Sequence, residues 1–350
     1  ASFPRAAIQL ALSSRGAMNS KLTHRLLPLS EAGVAEAGDC LEAPRGLFCL
    51  PAVVNIGVQK AGTGELQTWL GAHPLMLAHG GEVHFFDGLR PSAAMLRCGQ
   101  RQRTNLRQRY ARHLWHRRPL SRDNVGAAAS SAMAAGAPLV RRLAYEKTPA
   151  YFDLSNPALL ACAVPRAELL VMLRAPAARA ISAYQMCAGH IHGKWCQASI
   201  DEAIGSALTR SASGSVPRLR RRHLSPQLKR LLTMGMYSAH LHRWLEHFDA
   251  AQMRILWLEH FKSEPFECMD AVQRFLGLPP HDYRASATRN EKGLWVIGKS
   301  KSSSERWDKT PPSPEVNATL HQFYAPWQRT LAELLRAHNL SLLPARPIPG

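Results

Sequence analysis

An α/β fold, with a central, mainly parallel sheet and helices on both faces, is predicted by three observations. Short apolar runs recur at Val53–Val58, Leu143–Lys147, Glu168–Leu173 and Met253–Leu258, as expected of strands buried on both faces. Stretches with apolar residues at helical spacing separate them, an alternation that builds βαβ units. A chain of 350 residues is long enough for one large core of this kind.

The first 49 residues are mixed in composition, with Ser, Arg and Gly punctuation, and are expected to form an irregular stem before a domain spanning 50–340. Val53, Val54, Ile56 and Val58 open that domain as a buried strand. The glycine-bearing turn Gln59-Lys60-Ala61-Gly62-Thr63-Gly64 follows, and then Leu66, Trp69 and Leu70 at helical spacing. Thr63 is placed to cap this helix. A strand–turn–helix of this type offers backbone N–H groups and a helix N-terminus to an anion, and Lys60 adds a full charge.

Gly80-Gly81 breaks the chain before Glu82-Val-His84-Phe-Phe-Asp87, where polar groups sit beside an apolar wall or on a surface turn. Residues 101–118 are Arg-rich and helical, and read as a solvated face. The Ala/Gly/Ser run Gly126–Gly136 reads as a loop. The strand over Leu143–Lys147 ends in Thr148-Pro149, with a helix from about Asn156 to Ala163. The next strand, Glu168–Leu173, delivers Arg174 at its carboxyl end, where open α/β sheets bind ligands. Pro176 suits the first turn of the helix that follows, and Ser182 lies about two turns into it.

Further helices are expected over Ile200–Thr209, around Tyr237, Leu241, Trp244 and Leu245, over Pro265–Leu276 before Gly277, and from about Ser313 to Ala337. Residues 341–350 form a tail. The loop Asn290–Lys309 carries Lys292, Lys299 and Lys301.

Forty-four Lys and Arg against 25 Asp and Glu leave a net charge of +19. Such a surface favours polyanions, and charge alone leaves nucleic acid, an anionic membrane and an acidic polysaccharide equally open. None of the 7 cysteines forms a CxxC pair, which argues against zinc. Cys40/Cys49 and Cys187/Cys196 are spaced for local disulfides, and the odd count leaves one thiol over within the chain. Two N-x-[ST] triplets, at Asn317 and Asn339, suit a lumenal or secreted protein. No apolar run approaches the length of a membrane span of about 18 residues. An apolar stretch at Ala6–Leu12 is too short for a signal peptide, so an anchor or signal is expected upstream.

The turn departs from the ATP-binding pattern GxxxxGK[ST]. Lys60 precedes Gly62, and no apolar run ending in a Mg²⁺-binding Asp follows. A magnesium-dependent kinase is therefore a poor fit, while strand–loop–helix anion binding stands.

Gly57-Val-Gln-Lys60-Ala-Gly62-Thr63 resembles the 5′-phosphosulfate loop of sulfotransferases that use 3′-phosphoadenosine 5′-phosphosulfate (PAPS). Val171-Met-Leu-Arg174, continuing to Ser182 and Tyr184, resembles their 3′-phosphate element. Glu82–Asp87, Glu146-Lys147-Thr-Pro-Ala-Tyr-Phe152, Tyr237–Leu245, Phe275–Leu278, Lys292–Trp295, Gly298–Lys301 and Leu320–Tyr324 resemble Golgi carbohydrate sulfotransferases. The heparan sulfate N- and 3-O-sulfotransferases and the N-acetylgalactosamine 4-sulfate 6-O-sulfotransferase group are the similar ones, and the likeness runs in order from about residue 50 to 338.

The resemblance implies a P-loop-like sulfotransferase fold, a Golgi or secretory location and a metal-free reaction with PAPS as donor and PAP (adenosine 3′,5′-bisphosphate) as product. It implies that Lys60, Ala61, Gly62, Thr63 and Gly64 hold the 5′-phosphosulfate, with Lys60 stabilising the leaving oxygen. Arg174 and Ser182 would bind the 3′-phosphate, and Lys299 and Lys301 would close over the nucleotide. Glu82 would be the general base, and Lys147, His84 and Asp87 would touch a glycan acceptor. Gly64 stands where the relatives usually carry a second Thr, Ala175 stands for their Asp, and Ser302-Ser303 departs from their clamp. The competing reading is a non-enzymatic basic polyanion-binding protein on the same scaffold; no nucleic-acid-binding motif is visible.

Overall fold

Six parallel strands form the central sheet of a computed structural model that describes residues 25–116, 120–121, 142–191, 194–209, 216–220, 224–298, 310–340 and 342–343. They are β1 (Val53–Gly57), β2 (Met76–Ala78), β3 (Leu143–Lys147), β4 (Glu168–Leu173), β5 (Met253–Trp257) and β6 (Leu342–Leu343), in the spatial order β6-β5-β4-β1-β3-β2. Every pairing is parallel. Every residue of β1 and β3 is buried, which is why these strands read as near-continuous apolar runs. β2 and β6 were not expected from the sequence. Strands of three and two residues at the sheet edges are too short for any period to show.

The helices of seven or more residues are α1 (Thr63–Gly71), α2 (Gln100–Trp115), α3 (Pro157–Ala163), α4 (Pro176–Met186), α5 (Ile200–Ala207), α6 (Pro226–Thr233), α7 (Tyr237–Leu245), α8 (Pro265–Leu276) and α9 (Pro314–Ala337). Their ends follow local chemistry. Asn156 caps α3 and Ser313 caps α9, each with a proline at the first helical position. Ser199 and Glu202 form a capping box on α5, and Gly277, at φ 67°, closes α8 in the left-handed region.

The chain runs from β1 out to β2, returns to β3, then crosses β1 to β4 and β5. Right-handed crossovers in opposite directions lay their helices on opposite faces of a sheet. Trp69 of α1 packs edge-on against Phe266 of α8, 5.6 Å between centroids. A second apolar cluster joins α4, α5, α6 and α9 through Ala180, Tyr184, Ile204, Leu228, Leu320 and Phe323. No described helix is long and apolar enough to cross a membrane.

Residues 26–49 differ from the expected irregular stem. Three short strands, Leu26–Pro28, Cys40–Ala43 and Gly46–Cys49, form a separate sheet in which Cys40 faces Cys49 and is bonded to it. Strands of three and four residues are too short for any period to show. The Trp115 indole N–H donates to Cys49 O at 2.7 Å. Arg107 is buried in the Arg-rich helix and donates to Ala32 O, Gly33 O and Ala163 O at 3.3, 2.8 and 2.7 Å. Arg101, Arg109 and Arg112 of that helix are exposed, in keeping with a solvated face.

Disulfides join Cys40–Cys49, Cys98–Cys162 and Cys187–Cys196, and Cys268 is a buried thiol. Gly126–Gly136, Arg221–His223, Lys299 and Lys301 lie outside the described residues.

Candidate functional site

Three adjacent strands, β3, β1 and β4, deliver their carboxyl ends to one edge of the sheet, where the order reverses about β1. Such a crevice is where open α/β sheets bind ligands. β1 ends at Gly57, where a Cβ would meet Phe152 Cβ at 2.6 Å, so glycine alone fits. The Val58 N–H donates to Met172 O at 2.8 Å and aligns the turn with β4. Lys60 then takes φ 69° and Gly62 φ 85°, both left-handed.

Gly62, not Thr63, occupies the cap position of α1, and Thr63 is a buried first helical residue. The expected cap is corrected because a left-handed Gly62 already turns the chain. A Cβ there would lie 2.5 Å from Leu258 Cδ1. The Glu65 and Leu66 N–H groups are the first to bond back, to Gly62 O. The Thr63 and Gly64 N–H groups therefore open the helix as donors. A Cβ on Gly64 would meet nothing within 4 Å, so open space lies beside the turn.

Arg174 follows β4 and donates from Nη1 to Lys60 O at 3.2 Å. The Tyr237 hydroxyl donates to Arg174 O at 2.8 Å, and Glu259 Oε1 lies 4.0 Å from Arg174 Nε. Burial, then the neighbouring Arg174 charge, pushes the Lys60 ammonium down to about 8. Burial also lowers the Arg174 pKa, against the pull of Glu259. A half-buried lysine whose charge is disfavoured by burial and by a neighbouring arginine is an arrangement suited to an anion. Ala61 is buried beneath the turn, and Ser182 sits half-buried on α4.

On the other side of β1, Lys147 ends β3 and its Nζ lies 2.8 Å from Glu82 Oε1. His84 Nε2 lies 3.1 Å from Glu82 Oε2, and His84 Nδ1 lies 2.8 Å from Asp87 Oδ2. Both ring nitrogens thus face carboxylates, which suits an imidazolium. Burial opposes that charge, yet Asp87 and then Glu82 outweigh it and raise the His84 pKa. The loop rests on an aromatic wall, as one reading of its sequence expected. Phe85 stacks on Tyr110 at 5.2 Å and Phe86 meets Tyr151 at 5.5 Å.

The structure brings Lys60 and Arg174 together on the β1/β4 side, and Glu82, His84, Asp87 and Lys147 together on the β1/β3 side. Lys299 and Lys301 cannot be placed, being outside the described residues. Three supporting residues escaped the sequence reading: Glu146, Thr148 and Tyr110. Glu146 is fully buried, accepts from Tyr110 OH at 2.6 Å and from Thr148 Oγ1 at 2.9 Å, and is pushed up to about 7 by burial despite those bonds. The available signal was a carboxylate inside an apolar strand, which needs partners or a purpose. Among the described residues no group of three or more His, Cys, Asp or Glu side chains is arranged to hold a metal ion.

A family model described as "Sulfotransferase domain" matches residues 50–311. The bifunctional heparan sulfate N-deacetylase/N-sulfotransferase 3 of Mus musculus is 31% identical over 220 residues, covering 59% of this chain and 23% of its own length. The Homo sapiens protein of that name is 28% identical over 315 residues, covering 86% of this chain and 31% of its own. The chain therefore spans under a third of these curated relatives. A crystal structure of a sulfotransferase from Alicyclobacillus acidocaldarius has the same fold, with a TM-score of 0.53 and 21% identity over 82% of this chain and 96% of the other.

Proposed function

The chain belongs to the sulfotransferase family, and from that premise we propose that residues 50–340 transfer the sulfuryl group of PAPS to a hydroxyl or amino group of a carbohydrate. A glycosaminoglycan-like polysaccharide is the acceptor class. The observation that carries this reading is the pairing of two half-sites across β1: the Lys60–Arg174 cations on one side and the Glu82–His84–Asp87–Lys147 cluster on the other.

On the donor side, the Thr63 and Gly64 N–H groups and Lys60 hold the phosphosulfate, and Arg174 with Ser182 holds the 3′-phosphate. The open space beside Gly64 fits an approaching phosphosulfate, and the lowered Lys60 and Arg174 pKa values mark charges held partly out of water, a cost that a bound anion offsets. Lys299 and Lys301 are assigned to close over the nucleotide. On the acceptor side, Lys147, His84 and Asp87 orient the sugar.

Glu82 takes the proton as the acceptor oxygen or nitrogen bonds to sulfur. The bond from sulfur to the bridging phosphate oxygen breaks, and Lys60 stabilises the charge left on that oxygen. Positioning and electrostatics of this kind serve in-line group transfer without covalent help from the protein. Three disulfides suit an oxidising compartment, and the Golgi lumen is the compartment we assign.

PAP at about 100 times its Kd should stabilise the fold by about 2.7 kcal/mol, while ATP with Mg²⁺ should not. Glu82→Gln should keep the PAP-induced thermal shift and lose turnover of labelled PAPS on the order of 10²–10⁴-fold. No response to PAP, with retained polyanion binding, would favour a non-enzymatic binder instead. Normal turnover by Glu82→Gln would overturn the base assignment.

A further inference from the structure

Three consecutive backbone amides of the Glu82 loop are fixed by two hydroxyls, and both hydroxyls lie near one buried carboxylate. The Val83 and His84 N–H groups donate to Thr148 Oγ1 at 2.9 and 3.3 Å. The Phe85 N–H donates to the Tyr151 hydroxyl at 3.2 Å. Thr148 Oγ1 donates in turn to Glu146 Oε2 at 2.9 Å, and Tyr151 lies close enough to feel the Glu146 charge. Tyr110, on α2, donates to Glu146 Oε1 at 2.6 Å.

A hydroxyl has one proton to give. With amides donating to its oxygen, Thr148 directs that proton to Glu146. An ionised carboxylate only accepts, so it takes the Tyr110 and Thr148 protons at once. A proton or an amide at that position turns one oxygen into a donor, so the hydroxyl facing it must reverse its own hydrogen bond; at Thr148, whose oxygen already takes two loop amides, that reversal disturbs the loop. Lys147, between the two residues, reaches Glu82 itself. One tripeptide therefore grips the loop by its backbone and by its carboxylate.

We propose that Glu146 and Thr148 are positioning residues for sulfuryl transfer, holding the loop backbone so that Glu82 faces the acceptor. The proposal rests on the reading of Glu82 as the base, and neither residue touches donor or acceptor. The groups that face Glu146 are Tyr110 from α2, Tyr151 and Thr148 from the segment after β3, and Asp87 from the loop. Burial first, with a contribution from Asp87, makes Glu146 take up a proton as pH falls through about 7. The loop then loosens, and kcat declines on that acid limb.

The test compares wild type, Thr148→Val, Thr148→Ser and Glu146→Gln by labelled-PAPS kinetics, PAP thermal shift and amide hydrogen exchange. Thr148→Val is expected to lower kcat about 10- to 100-fold through misplacement of the base, with KM for PAPS and the PAP shift unchanged. Thr148→Ser keeps the hydroxyl and should restore kcat. Glu146→Gln should lower kcat and remove the component of the acid limb near 7, leaving only the decline due to the base itself. The Val83–Phe85 amides should exchange faster in Thr148→Val and not in Thr148→Ser.

Wild-type kcat in Thr148→Val, or equal impairment in Thr148→Ser, overturns the proposal, and so does an acid limb near 7 that persists unchanged in Glu146→Gln. A Thr148→Val protein that fails to fold assigns the residue to stability alone, unless Glu146→Gln retains the PAP shift and loses kcat. If wild type itself transfers nothing from PAPS, the functional reading fails. The exchange pattern then still decides whether Thr148 fixes the loop.

Discussion

At Lys60 both the backbone and the side chain are held away from their usual state. The residue has a left-handed φ of 69°, and its ammonium is pushed down to about 8 by burial and by Arg174. With the folded pKa below 10.5, the unfolded chain binds more protons between the two values, so Lys60 adds stability as pH rises through that window. Donor binding needs the opposite, a protonated Lys60. We therefore expect kcat/KM for PAPS to fall as pH rises through about 8. The kcat limb should lie higher, because a bound anion favours the charged form. Lys60→Arg should remove the alkaline limb from kcat/KM, since guanidinium stays charged; a level wild-type profile across that region would contradict the assignment. Lys60 and Arg174 were legible from the residues, as charged groups at strand ends, whereas Glu82, His84, Asp87 and Lys147 came forward as candidates through the family resemblance. Glu146, Thr148 and Tyr110 were not legible, because their purpose arises from pairings across 36 and 65 residues of chain.

The turn into α1 shows how one element assigns different work to two glycines. Gly62 has φ 85° and contacts Leu258, whereas Gly64 opens onto free space. Gly62→Ala should destabilise the protein by about 1–3 kcal/mol through left-handed strain and overlap. Gly64→Ala should be neutral or add up to about 1 kcal/mol from helix propensity. Urea unfolding midpoints of the two variants test this, and equal losses would sink the distinction. The four central strands could be read from the sequence because burial on both faces demands unbroken apolar runs. β2, β6 and the 26–49 sheet could not, since strands of two to four residues show no period, although the Cys40/Cys49 spacing did announce the disulfide there. The helix starts expected near Asn156 and Ser313 fall on caps, whereas the cap expected at Thr63 fails, because backbone conformation rather than a side chain opens that helix.

Across the whole molecule, the Cys98–Cys162 disulfide closes a loop with a sequence separation of 64, between the segment leading into α2 and α3. Chain-entropy reasoning gives such a closure about 4 kcal/mol. A Cys98→Ser/Cys162→Ser protein should therefore unfold at clearly lower urea concentration, and an unchanged midpoint would show that Arg107 and its three carbonyls hold α2 alone. On the proposed reading, the arrangement of half-sites around β1 also governs the order of events during turnover. Each half-site has its own flank of one strand, so neither substrate must vacate its place before the other arrives. Initial rates measured at varied concentrations of both should then give intersecting rather than parallel reciprocal lines. Excess PAP should compete with the donor, and raising the acceptor should not relieve it.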